Sequence, residues 1–290
     1  MILTKNAYGK INLYLDVLNK REDGYHNVKS VMQSVSLCDK ITLEVSDIQG
    51  ENEIDIVSNV ECLKCDKSNL IFKAWERFFD YTKITNKRCV FTLEKNIPMA
   101  AGMAGGSSDC ACALSLLNEV FDYSLSYDEM INLGAKIGAD VAFCIKGGTC
   151  ICEGIGEKLT VLNDFKNALL VCAIDESKVS TPYAFSLLDE KYGTNCTDSG
   201  DIDFILEGIK DGNLNTVCEN LYNKFESVII PKIENVQKIK DIMKSSGALG
   251  TLMSGSGPSV FGIFPDEKTQ NSAFNVLKSN GINAFLCKTV

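Results

Sequence analysis

Histidine is almost missing from this chain: His26 is the only one in 290 residues. Any hydrolase built on a histidine would have to use that one residue, and no Gly-x-Ser-x-Gly elbow accompanies it. Positive charge is also in deficit, with 29 Lys and Arg against 38 Asp and Glu, a net charge of −9. That balance argues against a protein that binds the phosphate backbone of nucleic acids, which needs basic surface. No apolar run approaches the roughly 18–20 residues that cross a bilayer. The start, Met1-Ile-Leu-Thr-Lys-Asn6, lacks the regions of a signal peptide and reads straight into a strand. The expectation is a complete cytoplasmic chain with no nucleic-acid or membrane partner. No G-x-x-x-x-G-K-[ST] occurs, so there is no Walker A loop. H-R-D and D-F-G are absent as well, which removes the protein kinases.

What is present reads as a soluble globular protein. Apolar residues make up 45% and charged residues 23%, and 290 residues suffice for one large domain or two ordinary ones. The 13 cysteines are odd in number. Cys110, Cys112, Cys144, Cys150, Cys152 and Cys172 lie in apolar segments, where Cys acts as a small buried hydrophobe. They are expected to be free thiols. Cys62-x-x-Cys65 has zinc-like spacing, but no second pair follows it.

Periodicity supplies the elements. Ile11, Leu13, Leu15 and Val17 alternate with Asn12, Tyr14 and Asp16, the period of a half-buried strand with Lys10 on its polar side. Lys40–Val45 and Cys89–Leu93 are further strands. Ser68 is expected to cap a helix carrying Leu70, Ile71, Ala74, Trp75, Phe78 and Phe79. A second helix runs from Ser107 to Asn118, and Ser126-Tyr-Asp-Glu129 is a capping box opening a third that Gly138 ends. In the second half, Ala168–Ile174 is a strand, and Thr181-Pro182 caps and opens a helix. A helix over Pro231–Ser246 is stopped by Gly247. Strands at Leu249–Ser254 and Ser259–Phe264, a helix over about 266–279 and a strand at Asn283–Val290 follow. This order, β…α-β-β-α-β, is the split ferredoxin-like arrangement with inserted helices. The halves meet near residues 155–167.

Five segments carry chemistry. Pro98-Met-Ala-Ala-Gly-Met-Ala-Gly-Gly-Ser-Ser-Asp109 joins a strand to a helix. Its glycines let backbone approach a ligand, and the helix start offers unpaired N–H groups that favour phosphate. Asp140 opens an apolar run, where a carboxylate is costly without a partner. Met253-Ser-Gly-Ser-Gly-Pro-Ser259 is a glycine turn between two strands. Lys10 sits within the first strand, and Gly24-Tyr-His26 sets an aromatic ring beside the sole histidine.

Together with Ala7-x-x-Lys10-Ile-Asn12-Leu and Ala139-Asp-Val141, these segments resemble the GHMP kinases, in the family's order over nearly the whole chain. Two departures stand out: Met103 and Ala104 occupy the place of Leu and Gly in the family's loop, and Ala142 that of a proline. The resemblance implies an α+β, two-domain GHMP kinase fold. An N-terminal domain like the second domain of ribosomal protein S5 (residues 1–160) would bind ATP. A C-terminal ferredoxin-like split βαβ domain (161–290) would complete an active site in the cleft. It further implies Mg²⁺-assisted phosphorylation of a small molecule bearing a cytidine diphosphate group, at the 2-hydroxyl of its methylerythritol, in non-mevalonate isoprenoid precursor synthesis. Asp140 would be the general base and Lys10 its electrostatic partner. ATP would meet Asn69 and the loop Pro98, Met99, Ala100, Ala101, Gly102, Met103, Ala104, Gly105, Gly106, Ser107 and Ser108. Ser107 or Ser108 would touch the metal or a phosphate. Tyr25 and Phe185 would sandwich the cytosine, with His26 on its edge, Asn12 at the methylerythritol hydroxyls and Thr181 near the diphosphate. The expected assembly is a monomer or weak homodimer. The alternatives are a homoserine- or mevalonate-type kinase, whose acceptors have no use for a cytosine stack, and a ligand sensor, which has no use for Lys10 and Asp140.

Overall fold

Alternation along the chain builds two sheets, and helical periodicity supplies what covers them. The structure, a computed structural model, describes residues 1–194 and 200–290. These form two compact units: Met1–Gly9, Cys38–Met99 and Ala104–Gly147 in the first; Lys10–Leu37, Ala100–Met103 and Gly148–Val290 in the second. Two long strands, β1 (Ile2–Lys20) and β2 (His26–Asp47), contribute residues to both.

The first unit adds β3 (Glu53–Ser58), α1 (Leu70–Thr82), β4 (Lys87–Glu94), α2 (Gly105–Val120), α3 (Tyr127–Ala135) and α4 (Val141–Lys146). β4 pairs antiparallel with β2, Leu93 opposite Ile41, and parallel with β3, Leu93 opposite Ser58. Ile41, Leu43, Phe91 and Leu93 pack with Ile71, Ala74 and Phe78 of α1 and with Cys110, Leu114 and Leu117 of α2. α1 carries these residues at the i, i+3, i+7 spacing that one helical face requires. Its N-cap is Asn69, whose side chain accepts the Ile71 N–H, rather than the expected Ser68. Ser68 instead donates its backbone N–H to the Asp66 carboxylate. The Ser126–Glu129 capping box on α3 forms as read, but α3 ends at Ala135, before Gly138.

The second unit adds β5 (Thr149–Gly154), β6 (Lys158–Val161), β7 (Leu169–Ile174), α5 (Thr181–Tyr192), α6 (Asp203–Lys210), α7 (Leu214–Glu219), β8 (Tyr222–Asn223), α8 (Glu226–Ile229), α9 (Glu234–Ser245), β9 (Gly250–Met253), β10 (Ser259–Phe264), α10 (Glu267–Ser279) and β11 (Asn283–Lys288). Its four-stranded antiparallel sheet has the order β11-β7-β10-β9. In chain order that is 4-1-3-2, the ferredoxin-like arrangement the sequence predicts. Val171, Ala173, Val260 and Phe264 on one face of this sheet meet Val236, Ile239 and Met243 of α9 and Ala273 and Leu277 of α10. α9 starts at Glu234, three residues after Pro231, and Ser180 rather than Thr181 caps α5. In β1 the expected half-buried alternation is replaced by burial on both faces: Asn12, Tyr14 and Asp16 are as enclosed as Ile11, Leu13 and Val17. A strand between covered faces carries polar side chains inside only where hydrogen bonds receive them.

Two alanines of the glycine-rich loop, Ala100 and Ala104, hold left-handed backbone, and the second of them starts a helix. Ala104, the N-cap of α2, has φ 56° and ψ 30° and makes no side-chain capping bond. A Cβ in this left-handed region costs about 1 kcal/mol relative to glycine. Ala104→Gly is therefore expected to stabilise the protein by about 0.5–1 kcal/mol in urea unfolding, less whatever the more flexible unfolded chain gives back. A destabilised variant would show that Ala104 is not strained.

Candidate active site

In the second unit, β1 delivers Lys10 and Asn12 into the interior, 4% and 1% exposed. A lysine on a strand's polar side is usually solvated; this one is buried, and an enclosed ammonium needs a hydrogen-bond acceptor. Lys10 Nζ donates to Asn12 Oδ1 at 2.7 Å. Asn12 Nδ2 donates to Ser30 Oγ at 2.7 Å, and Ser30 Oγ donates to Tyr14 O at 2.7 Å. The Gly255 N–H donates to the same Asn12 Oδ1 at 3.1 Å.

Two glycine segments of this unit come against Lys10. The Lys10 N–H donates to Met103 O at 3.0 Å, and Ser254 Oγ donates to Gly102 O at 3.1 Å. A Cβ on Gly102 would lie 2.4 Å from Ser254 O, and one on Gly255 would lie 3.0 Å from Gly102 O and 3.5 Å from Lys10 Nζ. Both glycines have positive φ. Glycine is thus favoured twice over here, for conformation and for approach. Thr181 is tied to the same turn, its Oγ1 3.0 Å from Ser256 Oγ.

The aromatic group is also in the second unit. His26, at the head of β2, stacks on Phe185 with ring centroids 4.6 Å apart and planes 14° from parallel. Phe185 meets Phe225 edge-on at 5.0 Å. His26 Nε2 is 2.7 Å from Asp189 Oδ1, and Lys20 Nζ is 2.6 Å from Asp189 Oδ2. Burial pushes the Asp189 carboxyl up, but the Lys20 and His26 bonds outweigh it and hold it below the ordinary value. An ionised carboxylate only accepts, so His26 donates its Nε2–H and Nδ1 is the nitrogen left for a ligand. Asp189 carries no motif and was not read from the sequence. Tyr25 is 61% exposed, with an open ring. Phe185, expected as an open stacking face, carries His26 on one side.

In the first unit, α2 starts at Gly105 and leaves the amides of its first turn without helical partners, the arrangement that receives a phosphate. Ser108 is buried and its hydroxyl donates to Gly105 O at 2.8 Å. Ser107 is half-exposed, and its hydroxyl has no hydrogen-bond partner among the described residues. Pro98 and Met99 precede the turn, Met99 half-exposed; Ala100 and Ala101 follow in the second unit, Ala100 with φ 56°. Asn69 engages both ends of its carboxamide, accepting from Ile71 and donating to Lys64 O at 2.8 Å. Asp140 stands at the start of α4 without making a capping bond to it.

Beneath the α2 turn lies a buried triad that no motif announced. Lys95 Nζ binds both Asp39 and Asp109, the latter at 2.7 Å, and all three side chains are almost fully enclosed. Asp39 Oδ1 accepts the N–H groups of Asn96 and Ile97 at 2.6 and 2.7 Å, which fixes the chain just before Pro98. Asp109 closes the first turn of α2. Burial pushes its carboxyl up to about 7; the Lys95 charge opposes this and the Asp39 charge adds to it. A carboxyl raised on folding adds stability below its unfolded value, near pH 4, and loses that share as pH climbs through about 7. Wild type should therefore lose urea stability relative to Asp109→Asn between about pH 4 and 7. A difference that stays flat over this range would contradict the raised Asp109 carboxyl.

Comparison with known proteins gives a consistent result. The family model for the GHMP kinase N-terminal domain matches residues 69–148, and that for the GHMP kinase C-terminal domain matches residues 205–283. Proteins named 4-diphosphocytidyl-2-C-methyl-D-erythritol kinase from Clostridium kluyveri and from Clostridium novyi are each 40% identical to this chain. Each alignment covers 98% of this chain and 99% of the relative. A crystal structure of 4-(cytidine 5'-diphospho)-2C-methyl-D-erythritol kinase superposes with a TM-score of 0.81 at 25% identity, covering 99% of both chains.

Proposed function

The chain belongs to the GHMP kinases, in the family of the 4-diphosphocytidyl-2-C-methyl-D-erythritol kinases, and we propose that it phosphorylates the 2-hydroxyl of 4-(cytidine 5'-diphospho)-2-C-methyl-D-erythritol. The reaction is an ATP-dependent phosphotransfer in isoprenoid biosynthesis. The observation that carries the reading is the buried Lys10 ammonium, held by Asn12 beside two glycine turns that approach closely, with no room for a Cβ at Gly102 and little at Gly255. Phosphoryl transfer depends on placing the donor and neutralising charge, and this arrangement supplies both.

In the proposed mechanism Asp140, at the start of α4, takes the proton of the acceptor hydroxyl. Lys10 stabilises the charge that develops on the transferring phosphoryl group. The loop Pro98–Ser108 receives the ATP phosphates at the first-turn amides of α2. Mg²⁺ suits a hydroxyl oxygen together with phosphate oxygens and water. Ser107 is the residue that would hold it, because the Ser108 hydroxyl is engaged with Gly105 O. The metal's chemistry is neutralisation of the phosphate charge. Asn69 is proposed near the adenine, although its carboxamide already caps α1. Tyr25 offers the open aromatic face for the cytosine, His26 reads the base edge through Nδ1, and Thr181 approaches the diphosphate from the Ser256 turn. The protein is proposed to act in the cytoplasm as a monomer or weak homodimer.

Release of ADP from Mg-ATP tests this reading. Turnover is expected with the cytidyl acceptor and not with homoserine or mevalonate. Asp140→Asn is expected to lower kcat by about a hundredfold or more while nucleotide affinity stays within about threefold. Turnover with homoserine alone would overturn the acceptor, and an Asp140→Asn enzyme with unchanged kcat would overturn the base.

A further inference from the structure

The turn that reaches Asn12 is itself gripped by a segment outside every motif in the sequence. Asn223, in the two-residue strand β8 that pairs in parallel with β1 at Leu15, is only 4% exposed. Its Nδ2 donates to Met253 O at 2.6 Å and to Gly255 O at 2.9 Å. Its Oδ1 accepts the Phe225 N–H at 3.0 Å. Three residues on, Glu226 Oε1 accepts the Met253 N–H at 2.8 Å. Lys240 Nζ holds that carboxylate with both oxygens at 2.5 Å.

Met253 is thus clamped at both ends of its backbone, its N–H by Glu226 and its carbonyl by Asn223, where β9 gives way to the glycine turn. Beyond Met253 the turn has positive φ at Gly255 and Gly257. Glycine adopts such dihedrals freely and does not hold them by itself. Receiving the Phe225 N–H ahead of α8 takes one acceptor at Asn223, and serine or aspartate would provide it. The two donors of Asn223 face the other way, into the turn. There Gly255 passes the restraint on through its own N–H to Asn12 Oδ1, the oxygen that receives Lys10 Nζ.

We propose that Asn223, backed by Glu226, is a positioning residue for phosphoryl transfer: it fixes the Met253–Gly257 turn so that the Gly255 amide holds Asn12, and through it the Lys10 ammonium, in place. Asn223 acts through the turn and touches neither substrate. The proposal rests on the role given to Lys10 above. Distortion of about an ångström at a charge-stabilising group is enough to lower the rate substantially.

The decisive comparison is steady-state kinetics of Asn223→Asp. This substitution keeps the side-chain shape and the acceptor for Phe225 but turns an oxygen toward the carbonyls of Met253 and Gly255. Its kcat is expected to fall about tenfold or more, with KM for ATP and for the cytidyl acceptor within about threefold of wild type. Asn223→Ser, which keeps an acceptor for Phe225 without adding charge, is expected to show the same split, and it decides the matter if the aspartate variant does not fold. A residue that only receives the Phe225 N–H ahead of α8 would leave kcat unchanged in both. A folded variant of either kind with kcat within about twofold of wild type, or a loss confined to KM, overturns the proposal. Lys10→Met run alongside separates the premises. If that variant turns over normally, the role of Lys10 falls and this proposal with it. If it is inactive while Asn223→Asp and Asn223→Ser match wild type, the positioning role alone fails.

Discussion

The second unit is organised around a single oxygen atom, Asn12 Oδ1, which receives both the Lys10 ammonium and the Gly255 amide. Enclosing an ammonium without partners costs several kcal/mol, so its surroundings are constrained. β1 is covered on both faces, Ser30 takes up the other end of the Asn12 carboxamide, and two glycine turns come together with no room for a Cβ at Gly102 and little at Gly255. Each of these features is costly in isolation. Together they hold one positive charge at a fixed place beside flexible backbone that has been made rigid by its neighbours, and preorganised charge of this kind stabilises a transferring phosphoryl group.

The first unit solves a related problem with different means. The element proposed to receive phosphate is the start of α2, and what steadies the approach to it is the Lys95–Asp39–Asp109 triad. Asp39 fixes the amides just before Pro98, and Asp109 sits within α2 itself. One lysine shared by two enclosed carboxylates thereby ties the strand end to the helix start. With the loop secured from below, Ala104 is held in a conformation it would not choose, in place of a glycine.

Elements built on local periodicity were the most legible in the sequence. The ferredoxin-like order of β7, β9, β10 and β11 follows from short apolar strands alternating with helices, and the Ser126 capping box needs only four residues to be recognised. β1 was seen in part, because burial on both faces places polar residues inside and disguises the period. Caps slipped by one residue at Ser68 and Thr181 because neighbouring Asn69 and Ser180 are equally able to accept a helical N–H. The short helices α6, α7 and α8 offer too few turns for a pattern to emerge. In the candidate site, the motif residues could be named, but their supports could not. Asp39 and Lys95 belong to no motif, Asp109 entered only as the last residue of the loop, and Asp189 and Asn223 act through long-range hydrogen bonds that no spacing rule encodes.

Turnover of Gly255→Ala probes the Asn12 junction most directly. The added methyl would stand 3.0 Å from Gly102 O and 3.5 Å from Lys10 Nζ, at a φ of 58° that an L side chain disfavours. The expected result is a folded protein whose kcat is about tenfold or more below wild type, because the turn can no longer hold Asn12 and Lys10 together. A folded Gly255→Ala enzyme with wild-type kcat would contradict a catalytic role for that junction.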